Sequence, residues 1–441
     1  MNQFSNDAGT NERPPPTITY VDIDLIKDDG PALKIHPEHQ QEILAKAIRE
    51  FGIIISLVVD KDFNLVAGRG RLEAARRLGL KKVPVLIADH LSPEELRAYA
   101  IADNKIAEGS TWDSEVLKVE LIELSNIDFD LSLTGFELPE IDLLVYGDTA
   151  QAAEEAPTEP QPKAVSREGD VWVMGRHRVI CGDALTVETY KALLGDDVAH
   201  AVFTDPPYNV PVDGHVSGNG KIKHREFAMA SGEMSEDEFR EFLMTTCNRI
   251  AENMADGAMV YICMDWRHGT DLDLAGRAVF AELKNVIVWD KGVGGMGSLY
   301  RSQHELIYVY KAHNGAHTNN VELGRHGRNR TNVWAYPGVQ SRRKDLTYHP
   351  TVKPIGMVAD ALLDVTQRGE IVLDPFLGSG TTLLAAERVG RVAYGIELDP
   401  LYVDVALRRF RGTYGIEPTL EATGENFTER ERATLEHDDD E

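Results

Sequence analysis

The amino-acid sequence predicts an α/β protein in which a mostly parallel sheet with helices on both faces follows a smaller α+β domain. From Gly169 onward, segments of strand character and helix character alternate, as is typical of parallel sheets. One phrase in this part, IVLDPFLGSGTTLLAAERVGRVAYGIELDP at residues 371–400, predicts a strand, a tight loop, a helix and a second strand. A stretch rich in alanine, acids and proline, TAQAAEEAPTEPQPKA, separates this part from the segment before it.

Length and composition indicate a soluble globular protein of two or three domains, with 441 residues of which 42% are hydrophobic and 27% charged. No apolar run is long enough to cross a bilayer, and the first residues do not resemble a signal peptide, so we expect a cytoplasmic protein without membrane contact. The three cysteines, Cys181, Cys247 and Cys263, are far apart and predict buried thiols rather than disulfides or a metal site.

The charge distribution is uneven along the chain. Taken as an average over the chain, the formal net charge of −26 argues against binding to nucleic acid. The window from Lys311 to Lys353, however, contains eight lysines and arginines and only two acids, Glu322 and Asp345. This window predicts either a DNA-binding surface or a solvated basic loop.

Breaks in composition predict the domain organisation. We expect a disordered leader at 1–16, an α/β domain at 17–110, a helical extension at 111–148, a linker at 149–168, a second domain at 169–416 and a solvated acidic tail at 417–441.

The first domain carries clear helix and strand signals. EHQQEILAKAIREFG has helical spacing and ends at Gly52, and SLVVDKDFNLVAG predicts strand, turn and strand. A short basic helix, RGRLEAARRLG, and a buried strand, VPVLIAD, come next. The following helix begins at Ser92, and Glu95 completes a capping box.

This order of elements resembles the ParB N-terminal domain family over about residues 16–108. The resemblance implies that the glycine–arginine box binds a nucleotide or DNA, or that the domain binds a protein partner. The matching residues are Gly68, Arg69, Gly70 and Arg71. The box lacks the acid that precedes the arginines in the partition proteins. A glycine-flanked helix start with arginines can hold a phosphate, and the alternative is a basic turn that only caps the helix.

The glycine loop of the second domain predicts a ligand site. Gly378 and Gly380 allow the backbone to approach a ligand, and Glu397 follows the next strand, where an acid can accept hydrogen bonds from ribose hydroxyls. The third glycine of the dinucleotide fingerprint is missing and Asp374 precedes the loop, which disfavours a pyrophosphate. A ligand with a cationic centre, S-adenosylmethionine, fits better, and an NAD enzyme is the alternative.

A second short motif, TDPPYNV, follows the apolar run 198–203. Asp205 and the carbonyl of Pro206 can each accept one hydrogen of an exocyclic amine, which frees the nitrogen lone pair for attack on a methyl group. Pro207 stiffens this corner and Tyr208 can stack on the base. A base bound in this way must leave the duplex stack. The alternative is a strand that ends in a Pro-Pro turn with Tyr208 packing.

Six ordered motifs resemble the amino-methylating DNA methyltransferases over about residues 169–415: HRVICGDAL, TDPPYNV, HELIYVYKA, HPTVKP, DPFLGSGTT and GIELDP. The resemblance implies a Rossmann-like adenosylmethionine-dependent methyltransferase sheet with a catalytic corner at Asp205, Pro206, Pro207 and Tyr208. It implies that the cofactor is bound by Asp183, Lys353, Asp374, Phe376, Gly378, Gly380, Thr381 and Glu397.

The family's target-recognition segment lies in the basic window between HELIYVYKA and HPTVKP. The resemblance therefore implies DNA contacts by Arg325, Arg328, Arg330, Arg342, Arg343 and Lys344. KIKHRE, at residues 221–226, is a candidate strand-clasping loop.

We expect methylation of the adenine N6 amine in double-stranded DNA, because an acid in the first motif position is more usual for adenine enzymes. The alternatives are an N4-cytosine DNA methyltransferase, a ParB-like DNA-binding adaptor with an inactive methylase fold, and a protein-glutamine methyltransferase. No metal site is expected. The sequence leaves open the recognition sequence, the existence of a restriction partner, and the choice between a monomer and a homodimer.

Overall fold

The structure, a computed structural model, describes residues 17–127, 129–147, 160–209, 232–294, 299–322, 330–337 and 352–436. It divides into two compact units, Met1–Ile141 and Asp142–Glu441. The leader predicted at 1–16 and the loop predicted at 221–226 lie outside the described residues, as does most of the predicted linker.

The first unit is built on a four-stranded sheet. Its strands, in the spatial order β1-β4-β2-β3, are β1 (Ile18–Asp22), β2 (Leu57–Val59), β3 (Leu65–Ala67) and β4 (Lys82–Ile87). β4 pairs antiparallel with β1 and parallel with β2. The apolar side chains of β2 and β4 are buried together, which explains why VPVLI has no polar alternation.

Two helix boundaries of the first unit lie where the sequence predicts them. Ser92 and Glu95 form the expected capping box, and Gly52, with a φ of 74°, ends the first helix. The helices are α1 (Glu38–Phe51), α2 (Arg69–Arg77), α3 (Pro93–Ala107), α4 (Ser114–Asn126) and α5 (Leu138–Tyr146), the last of which continues into the second unit.

The second unit contains a ten-stranded sheet in the order β11-β9-β10-β8-β7-β12-β13-β6-β5-β14. The strands are β5 (Val171–Met174), β6 (His177–Cys181), β7 (Ala199–Thr204), β8 (Met254–Met264), β9 (Glu282–Asp290), β10 (His304–Lys311), β11 (Val333–Ala335), β12 (Ile371–Asp374), β13 (Val392–Glu397) and β14 (Thr419–Leu420). The predicted α/β class is confirmed. Five of the nine strand pairings described in this sheet are parallel, and the other four are antiparallel strand pairs that the sequence did not predict.

Helices follow the strands of this sheet and leave an apolar core cluster on each of its faces. They are α6 (Val187–Leu194), α7 (Glu236–Glu252), α8 (Gly269–Val279), α9 (Ile355–Val365), α10 (Thr381–Arg388), α11 (Pro400–Tyr414) and α12 (Phe427–Glu436).

The central strands position the residues that follow them. β7, β12, β13 and β6 are neighbours and pair in parallel, and β8 continues this arrangement beside β7. Their carboxyl ends therefore lie at one edge of the sheet. After β7 the next strand of the sheet, β8, lies on one side, whereas after β12 the next strand, β13, lies on the other side. Ligands bind at such a switch point in open α/β sheets.

The prediction of a solvated tail from residue 417 is wrong for the part that the structure describes. β14 pairs antiparallel with β5, and α12 begins at Phe427, whose side chain is fully buried. The ring of Phe427 packs edge-on against Trp172, with 5.3 Å between ring centroids. Leu420 on β14 is buried in the same core, and the acidic composition of the segment concealed both apolar anchors.

Two predicted boundaries also differ from the structure. Val165 and Ser166 belong to the second unit rather than to a linker, because their backbone N–H groups donate to the buried Asp404 carboxylate at 2.7 and 3.0 Å. The helical extension predicted at 111–148 is divided within α5. Asp142 pairs with Arg368 at 2.7 Å and with Arg391 at 2.8 Å, both in the second unit.

Among the described residues, no helix combines the length and the apolar character needed to cross a bilayer.

Replacement of Phe427 should destabilise the second unit. Phe427→Ala removes a fully buried ring and should lower the free energy of unfolding by about 3–5 kcal/mol, measured by chemical denaturation. Glu425→Ala, at an exposed position two residues earlier, is the matched control and should change the free energy by less than about 0.5 kcal/mol. Equal stability of the two variants would contradict the packing role of α12.

Candidate functional site

A rigid corner after β7 holds the predicted catalytic residues. Asp205 follows the last residue of the strand, and its two carboxylate oxygens have different partners. The Tyr208 hydroxyl donates to Oδ1, and Lys353 Nζ lies 2.5 Å from Oδ2. The strand itself is fixed to the neighbouring loop, since Thr204 Oγ1 donates to the Asp374 carboxylate at 2.8 Å.

Lys353 is a central cation of this corner. Its side chain is 6% exposed and lies 3.3 Å from a second carboxylate, that of Glu305 on β10. Its ammonium also lies over the rings of Tyr208 and Trp289, 5.8 and 5.7 Å from their centroids. The sequence resemblance implied a cofactor contact for Lys353, and the structure pairs it with the catalytic carboxylate of Asp205. Glu305, in HELIYVYKA, was missed as a site residue; a charged residue inside an apolar strand was the available signal.

The glycine loop after β12 lies against the Glu397 carboxylate. Gly378 has a φ of 52° and donates its N–H to Glu397 Oε2 at 2.8 Å, while the N–H of Asp399 donates to Oε1 at 2.8 Å. The space that a Cβ on Gly378 would occupy is open. The loop backbone is therefore accessible at Gly378 and fixed to the acid at the end of β13.

Gly380 lies where a helix start packs closely against a neighbouring helix. It caps the start of α10 with a φ of 83°, and a Cβ there would lie 2.9 Å from the Cβ of Ala406 on α11. Close packing between the two helices therefore requires a glycine here, and contact of its backbone with the cofactor stays a prediction.

Burial changes the acidity of two carboxyl groups at this sheet edge. It raises the pKa of Asp374 to about 6, although Thr382 and Thr204 donate hydrogen bonds that oppose the shift. It raises the pKa of Glu397 to about 7 against the opposing hydrogen bonds from Asp399 and Gly378. Both groups titrate near neutral pH and face a site that can accept positive charge.

One pocket brings the two motifs together. It is lined by Asp205, Pro206, Pro207 and Tyr208 of the corner. It is also lined by six residues of the predicted cofactor set, Lys353, Asp374, Phe376, Gly378, Thr381 and Glu397. The sequence motifs are more than 160 positions apart, and the parallel strands place them at a shared cavity.

Asp183 lies beside this pocket. Gly182 and Ala184 line the cavity, whereas the Asp183 carboxylate accepts a hydrogen bond from the Leu185 N–H at 2.9 Å. Its predicted contact with the cofactor stays a prediction.

Arg330 is not available for the predicted DNA contact. Its guanidinium lies 3.2 Å from Asp360 and 2.8 Å from Asp364, and it packs over the ring of Trp334. The side chain is only 18% exposed. We therefore correct Arg330 from a phosphate contact to an internal ion pair. The other predicted DNA contacts, Arg325, Arg328, Arg342, Arg343 and Lys344, lie outside the described residues.

The glycine–arginine box of the first unit forms the start of α2. Gly68 adopts a left-handed conformation with a φ of 100°, and Gly70 lies in the first turn. Arg69 Nη2 donates to the Gly30 carbonyl at 2.7 Å, and Arg71 Nη1 donates to the Ile55 carbonyl at 3.0 Å. These bonds support loops of the unit itself. A nucleotide or phosphate at this box stays a prediction.

Comparison with known families matches three parts of the chain. The sequence profile of the N6/N4 DNA methylases, described as DNA methylase, matches residues 199–408. The profile of the ParB N-terminal domain matches residues 9–104, and that of the ParB-methyltransferase HTH domain matches residues 115–168. Both resemblances seen in the sequence are confirmed. The HTH domain was not recognised there.

Individual relatives cover different shares of the chain. The DNA adenine methyltransferase YhdJ of Escherichia coli is 30% identical over 261 residues, which are 52% of this chain and 81% of YhdJ. The type II methyltransferase M.BglII of Bacillus subtilis is 40% identical over 86 residues, 20% of this chain, and the chain spans only 24% of its length. The structure of the cytosine-N4-specific PvuII DNA methyltransferase aligns with a TM-score of 0.41 and 14% identity over 57% of this chain and 90% of PvuII.

Proposed function

The chain belongs to the N6/N4 family of DNA methylases, and we propose that it methylates the N6 amine of adenine in double-stranded DNA. S-adenosylmethionine is the cofactor. The observation that carries the proposal is the single pocket that contains both the Asp205 corner and the Gly378 loop.

Two observations support adenine over cytosine as the target. The catalytic motif begins with an acid, Asp205, and the relative with 30% identity and 81% coverage is named as a DNA adenine methyltransferase. N4-cytosine methylation is the alternative outcome of the assay described below.

The residues that line the pocket suit S-adenosylmethionine in their chemistry. The open space at Gly378 allows close approach to the backbone, and Glu397 offers carboxylate oxygens to ribose hydroxyls. Phe376 and Thr381 line the same cavity for the methionine part. When bound, the cofactor supplies an electrophilic methyl group on a cationic sulfur, and the surrounding carboxylates suit that charge.

The corner residues prepare the target amine. Asp205 accepts one amine hydrogen and the Pro206 carbonyl accepts the other, which localises the nitrogen lone pair for attack. Tyr208 lines the pocket beside Asp205, and its hydroxyl donates to the Asp205 carboxylate and keeps it oriented. Holding an extruded base here contributes to the rate through orientation.

Removal of the Asp205 carboxylate should abolish methyl transfer. Asp205→Ala should reduce kcat by about a thousandfold, because the amine loses its principal acceptor, while cofactor affinity remains within about threefold. The assay is transfer of tritiated methyl groups to unmethylated DNA, followed by nucleoside mass spectrometry.

The matched control is Asp265→Ala, which changes an acid just after the neighbouring strand β8 and should leave kcat nearly unchanged. Full turnover by Asp205→Ala would refute the assigned role. N4-methylcytosine as the wild-type product would refute the choice of adenine.

Cofactor affinity should depend on the ionisation of Glu397. Its pKa of about 7 means that the carboxylate form is lost as pH falls below neutrality, and a cationic ligand with ribose hydroxyls binds that form better. Titration calorimetry should show the Kd for S-adenosylmethionine falling by about tenfold from pH 6 to pH 8. Glu397→Gln should bind more weakly and with much less pH dependence. Identical pH profiles for both proteins would contradict the ribose contact.

A further inference from the structure

Four charged side chains form a chain of ion pairs that begins at the catalytic carboxylate. Lys353 Nζ lies 2.5 Å from Asp205 Oδ2 and 3.3 Å from Glu305 Oε2. Lys291 Nζ lies 3.2 Å from the other oxygen of Glu305, Oε1. The side chain of Glu305 is 12% exposed and that of Lys291 is 33% exposed, so the chain runs from the pocket towards solvent. Two cations balance two carboxylates in this cluster.

We propose that Glu305 is a positioning residue that shares the Lys353 ammonium and so keeps the Asp205 carboxylate available to the target amine. The proposal rests on the methylation proposed above and extends it to a residue that does not line the pocket in this structure.

The geometry explains why a second carboxylate is needed. If Asp205 were the sole partner of Lys353, the ammonium would bind tightly to the carboxylate that the amine must reach, because a buried ion pair is weakly screened. Glu305 attracts the same ammonium from the other side. Each carboxylate oxygen has two acceptor directions, so Asp205 can keep Lys353 and Tyr208 and still accept an amine hydrogen.

The same arrangement suits the proton that the reaction releases. The amine lone pair forms the new N–C bond while the electron pair of the C–S bond goes to sulfur, and the nitrogen then carries a positive charge. Asp205 accepts one proton from that nitrogen, the N–H electron pair returns to nitrogen, and the proton passes to solvent when the product leaves. Lys353 stays protonated and paired with Glu305 while Asp205 is neutral.

The electrostatic surroundings agree with this division of roles. Burial raises the pKa of Asp205, Lys353 opposes the shift and Glu305 adds to it. Burial alone would raise the pKa of Glu305, but the ammonium groups of Lys353 and Lys291 lower it. Asp205 is therefore the better proton acceptor of the two carboxylates. The other titratable groups facing it are Tyr208, Cys263 on β8 and Asp374 on β12.

The test is the pH dependence of kcat at saturating DNA and cofactor. Activity is lost as pH falls through the pKa of Asp205, because the protonated acid cannot accept the amine proton. Glu305→Gln removes a negative charge, so the acid limb of the kcat–pH profile, where activity falls with pH, should move to lower pH by about one unit. The plateau of kcat should fall by about tenfold, because Lys353 is then held by Asp205 alone. Affinity for the product S-adenosylhomocysteine should be unchanged.

Lys291→Met provides a variant of opposite sign. It removes a positive charge from the outer end of the cluster, so the acid limb should move to higher pH, by less than in Glu305→Gln because Lys291 is partly exposed. Glu305→Asp keeps the charge and should keep the acid limb at its wild-type position. A structural defect alone would lower the plateau without shifting the limb in opposite directions.

Glu282→Gln is the matched control. Glu282 lies at the far end of the β9–β10 strand pair and contacts Lys284 at 3.2 Å and Lys311 at 3.7 Å. Like Glu305→Gln, this substitution removes a glutamate from between two lysines. It should leave the pH profile unchanged.

Any of three outcomes would overturn the positioning role. The acid limb could be unshifted in Glu305→Gln, or it could shift in the same direction in Glu305→Gln and Lys291→Met. The control Glu282→Gln could also shift it as far as Glu305→Gln does. Absence of methylation by the wild-type protein would instead overturn the proposed function.

Discussion

Parallel pairing of neighbouring strands is the constraint on which the site depends. β7 and β12 pair in parallel, so the Asp205 corner and the Gly378 loop leave the sheet side by side although they are far apart in the chain. β13 pairs with β12 in the same direction and brings Glu397 to the loop, where it accepts the Gly378 N–H. A reversal of any one of these strands would send its terminal residues to the opposite edge. The pocket is thus a consequence of strand direction before any side chain is considered.

Burial of charge is the second requirement, because a carboxylate that must bind an amine and receive its proton works best away from water. An isolated buried carboxylate would bind a proton instead of staying ionised. The protein satisfies Asp205 with Lys353 and then satisfies Lys353 with Glu305, so each buried charge has a partner of opposite sign. Asp374 has hydroxyl and backbone donors instead of a cation, and burial raises its pKa to about 6 against those hydrogen bonds.

The parts of the site that lie in contiguous motifs could be predicted from the sequence, whereas those that depend on distant packing could not. DPPY and the glycine loop each fix their own local geometry through proline and glycine, so their sequences carry the structural information. Arg330 looked like a DNA contact because its neighbours are basic, but Asp360 and Asp364 on α9 pair with it, and that packing is not visible in a linear window. Phe427 was hidden in the same way: it lies in an acidic segment with few apolar residues, and its packing partner, Trp172, is far away in the sequence.

The position of Lys353 has a consequence for the direction of the reaction. Before transfer, the incoming amine is neutral, so the nearby ammonium repels it little and leaves an acceptor direction on Asp205 free. After transfer, the nitrogen carries a positive charge a few ångströms from a buried cation, and the weak screening of the site makes that state unfavourable. Loss of a proton to Asp205 removes the repulsion at once. The cation that helps to keep Asp205 ionised before the reaction therefore also favours deprotonation of the methylated amine after it.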